Sequence, residues 1–209
     1  MMKHSFHEIG WLWVCLGVVA WLGLASTVTY GAQAELNPVT MTEWTVPWEQ
    51  TRPRDPYVAP NNRVWFVGQQ GDYVAMFDPK TGTFRKYPLD SGTGPHNLIV
   101  DDEGFVWYAG NRAAHIGKLD PKTGSIIKYR MPNPDASDPH TLVFGDKKDI
   151  WFTVQQGNFV GRLEMDSGSV TLTPLLTANA RPYGIVVDVS FAPWFTEFGS
   201  NALATIDSG

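Results

Sequence analysis

Two histidines, two tyrosines and a glutamate stand at matching places in this sequence, and they are the side chains best suited to move a proton. Tyr57, His96, His140 and Tyr183 each follow a proline that opens an apolar run. An imidazole takes up a proton near neutral pH, and a phenol can hydrogen-bond a carbonyl or an enolate. The same four residues read equally well as repeat-encoded packing residues with polar tips. A second matching position falls three residues after a tryptophan and holds Gly68, Gly110, Val154 and Glu197. Only Glu197 brings a carboxylate there, either to bind a divalent cation or polarise a base, or simply to face solvent.

These positions match because the chain repeats. The tryptophans at 65, 107, 151 and 194 are spaced by 42, 44 and 43 residues, and the acidic residues at 78, 120, 164 and 207 keep the same step. Each unit holds four short apolar runs separated by turn residues, the pattern of one four-stranded blade of a β-propeller. The fold class expected is therefore all-β, with blades over about 54–91, 92–135, 136–179 and 180–209. Asp-Pro-Lys-Thr-Gly at 78–82 and 120–124 should join the third and fourth strands of a blade. Proline presets φ, the aspartate can accept from a nearby backbone N–H, and glycine takes the positive-φ position. Inner strands line a propeller's channel, so Tyr57, His96, His140 and Tyr183 are expected at one shared mouth. Asn97, Asn111, Gln155, Gln156, Asn158 and Asn201 lie near strand ends, as turn formers or as hydrogen-bond partners for a peptide-like ligand. His115 and the turn aspartates read as structural.

Composition agrees with this architecture. Nine Trp, 20 Gly and 15 Pro in 209 residues suit short strands joined by tight turns. A net charge of −5 gives no footprint for nucleic acid. No phosphate-binding glycine loop, zinc ligand cluster or nucleophile elbow is present. Residues 1–34 read as a signal peptide, with an apolar run from Ile9 to Val28 and small residues at Ala32 and Ala34 before a mature start near Glu35. An uncleaved membrane anchor is the alternative. Either way the body is exported, to the periplasm or beyond. Cys15 is the only cysteine and its surroundings do not fit a lipoprotein site. Residues 35–53 form a proline-broken lead-in whose Trp44 and Trp48 are expected to pack onto the body. Three and a half blades do not close a ring, so a longer, seven-bladed parent is expected.

The combination of Gly-Pro-His-Asn at 94–97, Ile-Gly-Lys-Leu-Asp-Pro-Lys-Thr-Gly at 116–124, Arg-Pro-Tyr-Gly-Ile at 181–185 and Trp-Phe-Thr-Glu at 194–197 resembles the blade consensus of the virginiamycin B lyase (streptogramin lyase) family. That resemblance implies a carbon–oxygen lyase that linearises streptogramin B depsipeptides by elimination across the lactone ester. It implies Mg2+ at the mouth, and a key pair made of a His after the opening Pro and a Glu fourteen residues later in the same blade. Here His96 is matched with Gly110, His140 with Val154, and Glu197 with Tyr183, so no blade carries both partners. His96, His140, Tyr183 and Glu197 are the mouth residues that the family register selects, with Glu197 the candidate metal ligand. The chain as it stands is expected to be inactive. A small-molecule or peptide-like ligand is the expected partner, with a monomer for the complete propeller. The rival expectations are a non-catalytic propeller that binds a protein, peptide or glycan, and a lactonase-like metal-dependent hydrolase.

Overall fold

The computed structural model describes residues 39–206 apart from 147. The apolar run with its cleavage site, Cys15, and the final Asp207 to Gly209 lie outside the described residues. Among the described residues no helix is long and apolar enough to cross a membrane. All strands belong to the compact unit that begins at Glu43.

Each stretch of alternating apolar run and turn becomes one antiparallel meander. The first sheet is β1 (Pro53–Val58), β2 (Val64–Gly68), β3 (Tyr73–Asp78) and β4 (Thr83–Pro88). The second is β5 (Leu98–Val100), β6 (Val106–Gly110), β7 (His115–Leu119) and β8 (Ile126–Arg130). The third is β9 (Pro139–Phe144), β10 (Asp149–Val154), β11 (Phe159–Glu164) and β12 (Val170–Pro174). The fourth holds β13 (Pro182–Val187), β14 (Pro193–Glu197) and β15 (Ala202–Thr205). Sheets of this kind, packed face to face, make the all-β propeller architecture that the repeat predicts.

Burial explains why the second strand of each unit is so apolar. β6 and β10 are buried at every position, because a sheet covers each of their faces. Trp65, Val67 and Val74 meet Leu98, Val106 and Tyr108 between sheets one and two. Trp107 and Ile116 meet Leu142, Ile150 and Phe152 between sheets two and three. Trp151 and Val160 meet Ile185 and Phe195 between sheets three and four. β14 has only one covered face, so its residues alternate between buried and exposed. At the other end, the lead-in closes the first sheet, with Val46 and Trp48 packed on Phe66, Tyr73 and Phe77. The Trp48 and Tyr73 rings lie 5.0 Å apart, as do those of Trp44 and Phe77.

The turns follow from their side chains. Asp78 accepts from the Lys80 N–H at 3.0 Å, Asp120 accepts from the Lys122 N–H at 2.8 Å, and Gly82 and Gly124 take φ of 69° and 79°. Asp101 accepts from the N–H groups of Glu103 and Phe105 and from the indole of Trp107, tying a hairpin to the repeat's tryptophan. Asp188 repeats the indole contact with Trp194.

Strand register corrects one expectation. Trp65, Trp107, Trp151 and Trp194 pair with Tyr57, Ile99, Val143 and Val186. Counting three residues back along each inner strand gives Arg54, His96, His140 and Tyr183. Arg54, not Tyr57, is thus the first blade's equivalent of the mouth residues. Two prolines compete there, and the one that matches Pro139 and Pro182 is Pro53, paired with Gly68 as they are with Val154 and Glu197. The register shifts just after this point in β1, β9 and β13, a bulge that re-aims the side chain.

Candidate functional site

The sequence on either side of each opening proline builds the site. Interstrand tethers place neighbouring inner strands against one another: Asn111 Nδ2 donates to the Pro139 carbonyl at 3.0 Å, Asn97 Oδ1 accepts from the Leu142 N–H at 2.9 Å, and Thr153 Oγ1 donates to the Tyr183 carbonyl at 2.9 Å. Asn97 and Asn111, read from sequence as turn formers or ligand contacts, are therefore blade-to-blade ties, as is Asn158, which accepts from the Arg181 N–H.

These ties line up one ring from each of sheets two, three and four. The His96 and His140 rings lie 3.5 Å apart between centroids, and His140 and Tyr183 follow at 4.4 Å. Phe198 extends the row beside Tyr183 at 5.7 Å. His96 and His140 are buried, whereas Tyr183 keeps 39% of its surface in solvent. Arg54 opens the row on the other side, donating from Nη1 to Gln69 Oε1 at 3.0 Å and pairing with Asp55 at 3.3 Å. A cavity of about 470 Å³ lies along the inner strands, walled by Asp55, Tyr57, Asn97 and Leu142 among others.

Charge at this mouth is unevenly shared. Burial, reinforced by His96 and Arg54, pushes the His140 imidazole down to about 3, so the ring is neutral at physiological pH. Its Nδ1 lies 2.9 Å from Thr141 Oγ1. Burial alone would raise the Asp55 carboxyl, but His96 and Arg54 outweigh it and hold the group below its ordinary value. Asp55 adopts a left-handed φ of 49° at the bulge, and its Oδ2 sits 3.3 Å from His96 Nδ1. Sequence reasoning missed both Arg54 and Asp55. Counting eleven residues back from Trp65, as from Trp107 to His96, would have found the first.

Glu197 lies across from Pro182, beside the Tyr183 strand position, and is buried with its carboxylate accepting from Ser200 Oγ at 2.7 Å. The cross-strand partner decides why only this unit has a carboxylate. Gly68 faces Tyr73 and Gly110 faces His115, whereas Glu197 faces Ala202. A Cβ on Gly68 would meet the Tyr73 ring at 2.2 Å, and one on Gly110 the His115 ring at 2.6 Å. Large residues on the third strand thus fill the space that Ala202 leaves to Glu197.

Magnesium asks for a near-octahedral shell of oxygens. Among the described residues no three His, Cys, Asp or Glu side chains come together as metal ligands. The mouth offers two stacked imidazoles, the Asp55 carboxylate already beside Arg54 and His96, and the Glu197 carboxylate already held by a hydroxyl. By themselves the residues present do not fit the ion that the resemblance implies.

Successive antiparallel meanders with their inner strands around a cavity, three of them presenting a polar ring and the first Arg54 at one end, define a β-propeller with a candidate channel-mouth site. The virginiamycin B lyase family matches residues 21–209, and the chain belongs to it. The structure is similar to virginiamycin B lyase from Staphylococcus aureus at 29% identity and a TM-score of 0.74, over 80% of this chain and 56% of that one. A catalytically inactive His-to-Ala variant of that enzyme with quinupristin is 28% identical, with the same coverage and TM-score. Kuenenia stuttgartiensis hydrazine synthase, 14% identical with a TM-score of 0.64 over 81% of this chain and 49% of that one, shares the fold alone. No curated protein matches the chain in a sequence search. The chain therefore spans about 56% of the length of the staphylococcal lyase.

Proposed function

We propose that the mouth formed by His96, His140, Tyr183 and Glu197 binds a cyclic depsipeptide of the streptogramin B type, as part of a site that opens the lactone ester by elimination. The observation that carries this reading is the row His96–His140–Tyr183, one ring from each of three successive sheets, in a chain of the virginiamycin B lyase family. In such a reaction a base takes the proton α to a carbonyl. The electron pair becomes a carbon–carbon double bond and the ester's alkyl–oxygen bond breaks to release a carboxylate. No atom is gained, so product and substrate share one mass. A neutral imidazole can accept the proton, and the exposed Tyr183 phenol can donate to a substrate carbonyl.

No sheet here pairs a mouth histidine with a glutamate fourteen residues on, so the 209-residue chain is expected to bind quinupristin and return it unopened. Mass spectrometry of quinupristin incubated with the chain, with and without magnesium, tests this. A product heavier by one water would identify a hydrolase and overturn the reading. A ring-opened product of unchanged mass would show that the mouth works without that pair. The missing pair also favours a second reading, a non-catalytic binder that uses the same mouth, distinguished by equal binding of depsipeptide and unrelated peptides. Export is part of the proposal: protein recovered from the periplasm or medium is expected to begin near Glu35, and an intact Met1 on a membrane-bound form would point to an uncleaved anchor.

A further inference from the structure

We propose that Asp55 and His96 form a carboxylate–imidazole dyad that keeps the His96 proton on Nδ1 and leaves the lone pair on His96 Nε2 as a hydrogen-bond acceptor for a ligand at the mouth. Asp55 Oδ2 and His96 Nδ1 are each sealed from water and each lack a hydrogen-bond partner, yet they face one another at 3.3 Å. Two orphaned buried polar atoms are costly, and a small ring rotation satisfies both at once. Catalytic hydrogen bonds are often long before substrate binds.

The neighbouring charges leave Asp55 as the group that does this. Arg54 Nε approaches the same Asp55 Oδ2 at 3.3 Å and its Nη1 donates to Gln69, so Asp55 Oδ2 lies between the guanidinium and the His96 ring and its carboxyl is held in the charged form that accepts from His96. Asp138 is spent on the backbone N–H groups of Gln156 and Gly157. His140 has its Nδ1 at Thr141, and its ring lies 3.5 Å from that of His96. Two imidazolium rings at that distance would repel, and burial together with His96 and Arg54 keeps the His140 ring neutral. His140 then serves as a neutral stacking surface. A carboxylate at Nδ1 selects the tautomer whose lone pair is on Nε2, and Nε2 has no hydrogen-bond partner among the described residues. On the depsipeptide-binding reading, which this step deepens, Nε2 offers its lone pair to a hydrogen-bond donor of the ligand while Asp55 holds the ring in that tautomer. Asp55 acts through His96 and is a positioning residue.

Long-range proton–nitrogen spectra of the 15N-labelled 209-residue chain at pH 8 test the dyad without any ligand, so its failure is separable from failure of the depsipeptide reading. Loss of signals in His96→Gln and His140→Gln assigns the two rings. The expected result is a proton on His96 Nδ1 in the wild type, and a switch to the Nε2–H form in Asp55→Asn with the His140 signals unmoved. Asp55→Glu should restore the Nδ1–H form at least in part. A wild-type His96 protonated on Nε2, or an Asp55→Asn spectrum with the His96 tautomer unchanged, would overturn the proposal. The wild-type spectrum decides by itself should Asp55→Asn not fold.

Discussion

His140 is the residue on which folding and chemistry press hardest in opposite directions. Its burial keeps it neutral at a pH where a free histidine begins to charge. An unfolded chain therefore binds a proton below about pH 6.5 that the folded chain refuses until the pH approaches 3. The sign follows directly: this group's contribution is fully present above pH 6.5 and is lost as the solution is acidified. Urea unfolding between pH 6.5 and 4 should show stability falling by up to about 1.4 kcal/mol per pH unit from this single proton. His140→Gln should flatten that fall, and an identical slope in wild type and variant would contradict the burial argument. Tyr183 behaves differently because it is partly exposed. Tyr183→Ala should cost little stability, roughly 1 kcal/mol or less, while weakening any ligand that stacks at the mouth.

The register of the inner strands belongs to the scale of elements, and it divides what the sequence made legible from what it hid. His96, His140 and Tyr183 were legible because each follows the one proline of its strand at a fixed distance from a tryptophan. Arg54 was hidden because Pro53 and Pro56 flank it, and only the pairing of Pro53 with Gly68 settles which proline opens the strand. The meeting of Asp55 with His96 was hidden more deeply, since it joins two sheets and depends on a bulge and a left-handed residue. The same element logic explains why the Glu197 position cannot be copied elsewhere by one change. Gly110→Glu, which would place a carboxylate fourteen residues after His96, must displace the buried His115 ring. It should destabilise the chain by about 2 kcal/mol or more in denaturant titration. Adding His115→Ala, which reproduces the Glu197 and Ala202 pairing, should recover part of that loss, and strict additivity of the two changes would argue against the exchange.

For the molecule as a whole, each sheet is stabilised by what covers it. The lead-in does for the first sheet what sheets two and three do for one another, through Trp48 against Tyr73 and Phe84. Trp48→Ala should lower stability by roughly 2–3 kcal/mol, below the loss for a fully buried Trp because this ring is half-exposed. The repeat spacing made this architecture plain from sequence, because burial on both faces forces an apolar run at the same point of every unit. What repetition cannot reveal is which of the repeated positions is used, and the proposed answer is the row of rings at the mouth. Calorimetric titration of quinupristin into the 209-residue chain and into Tyr183→Ala and His140→Ala tests that answer most directly. Saturable one-to-one binding, weakened about tenfold or more in each variant, equivalent to about 1.4 kcal/mol, is the predicted result. Absence of saturable binding to the wild type, or equal affinity in all three proteins, would contradict it.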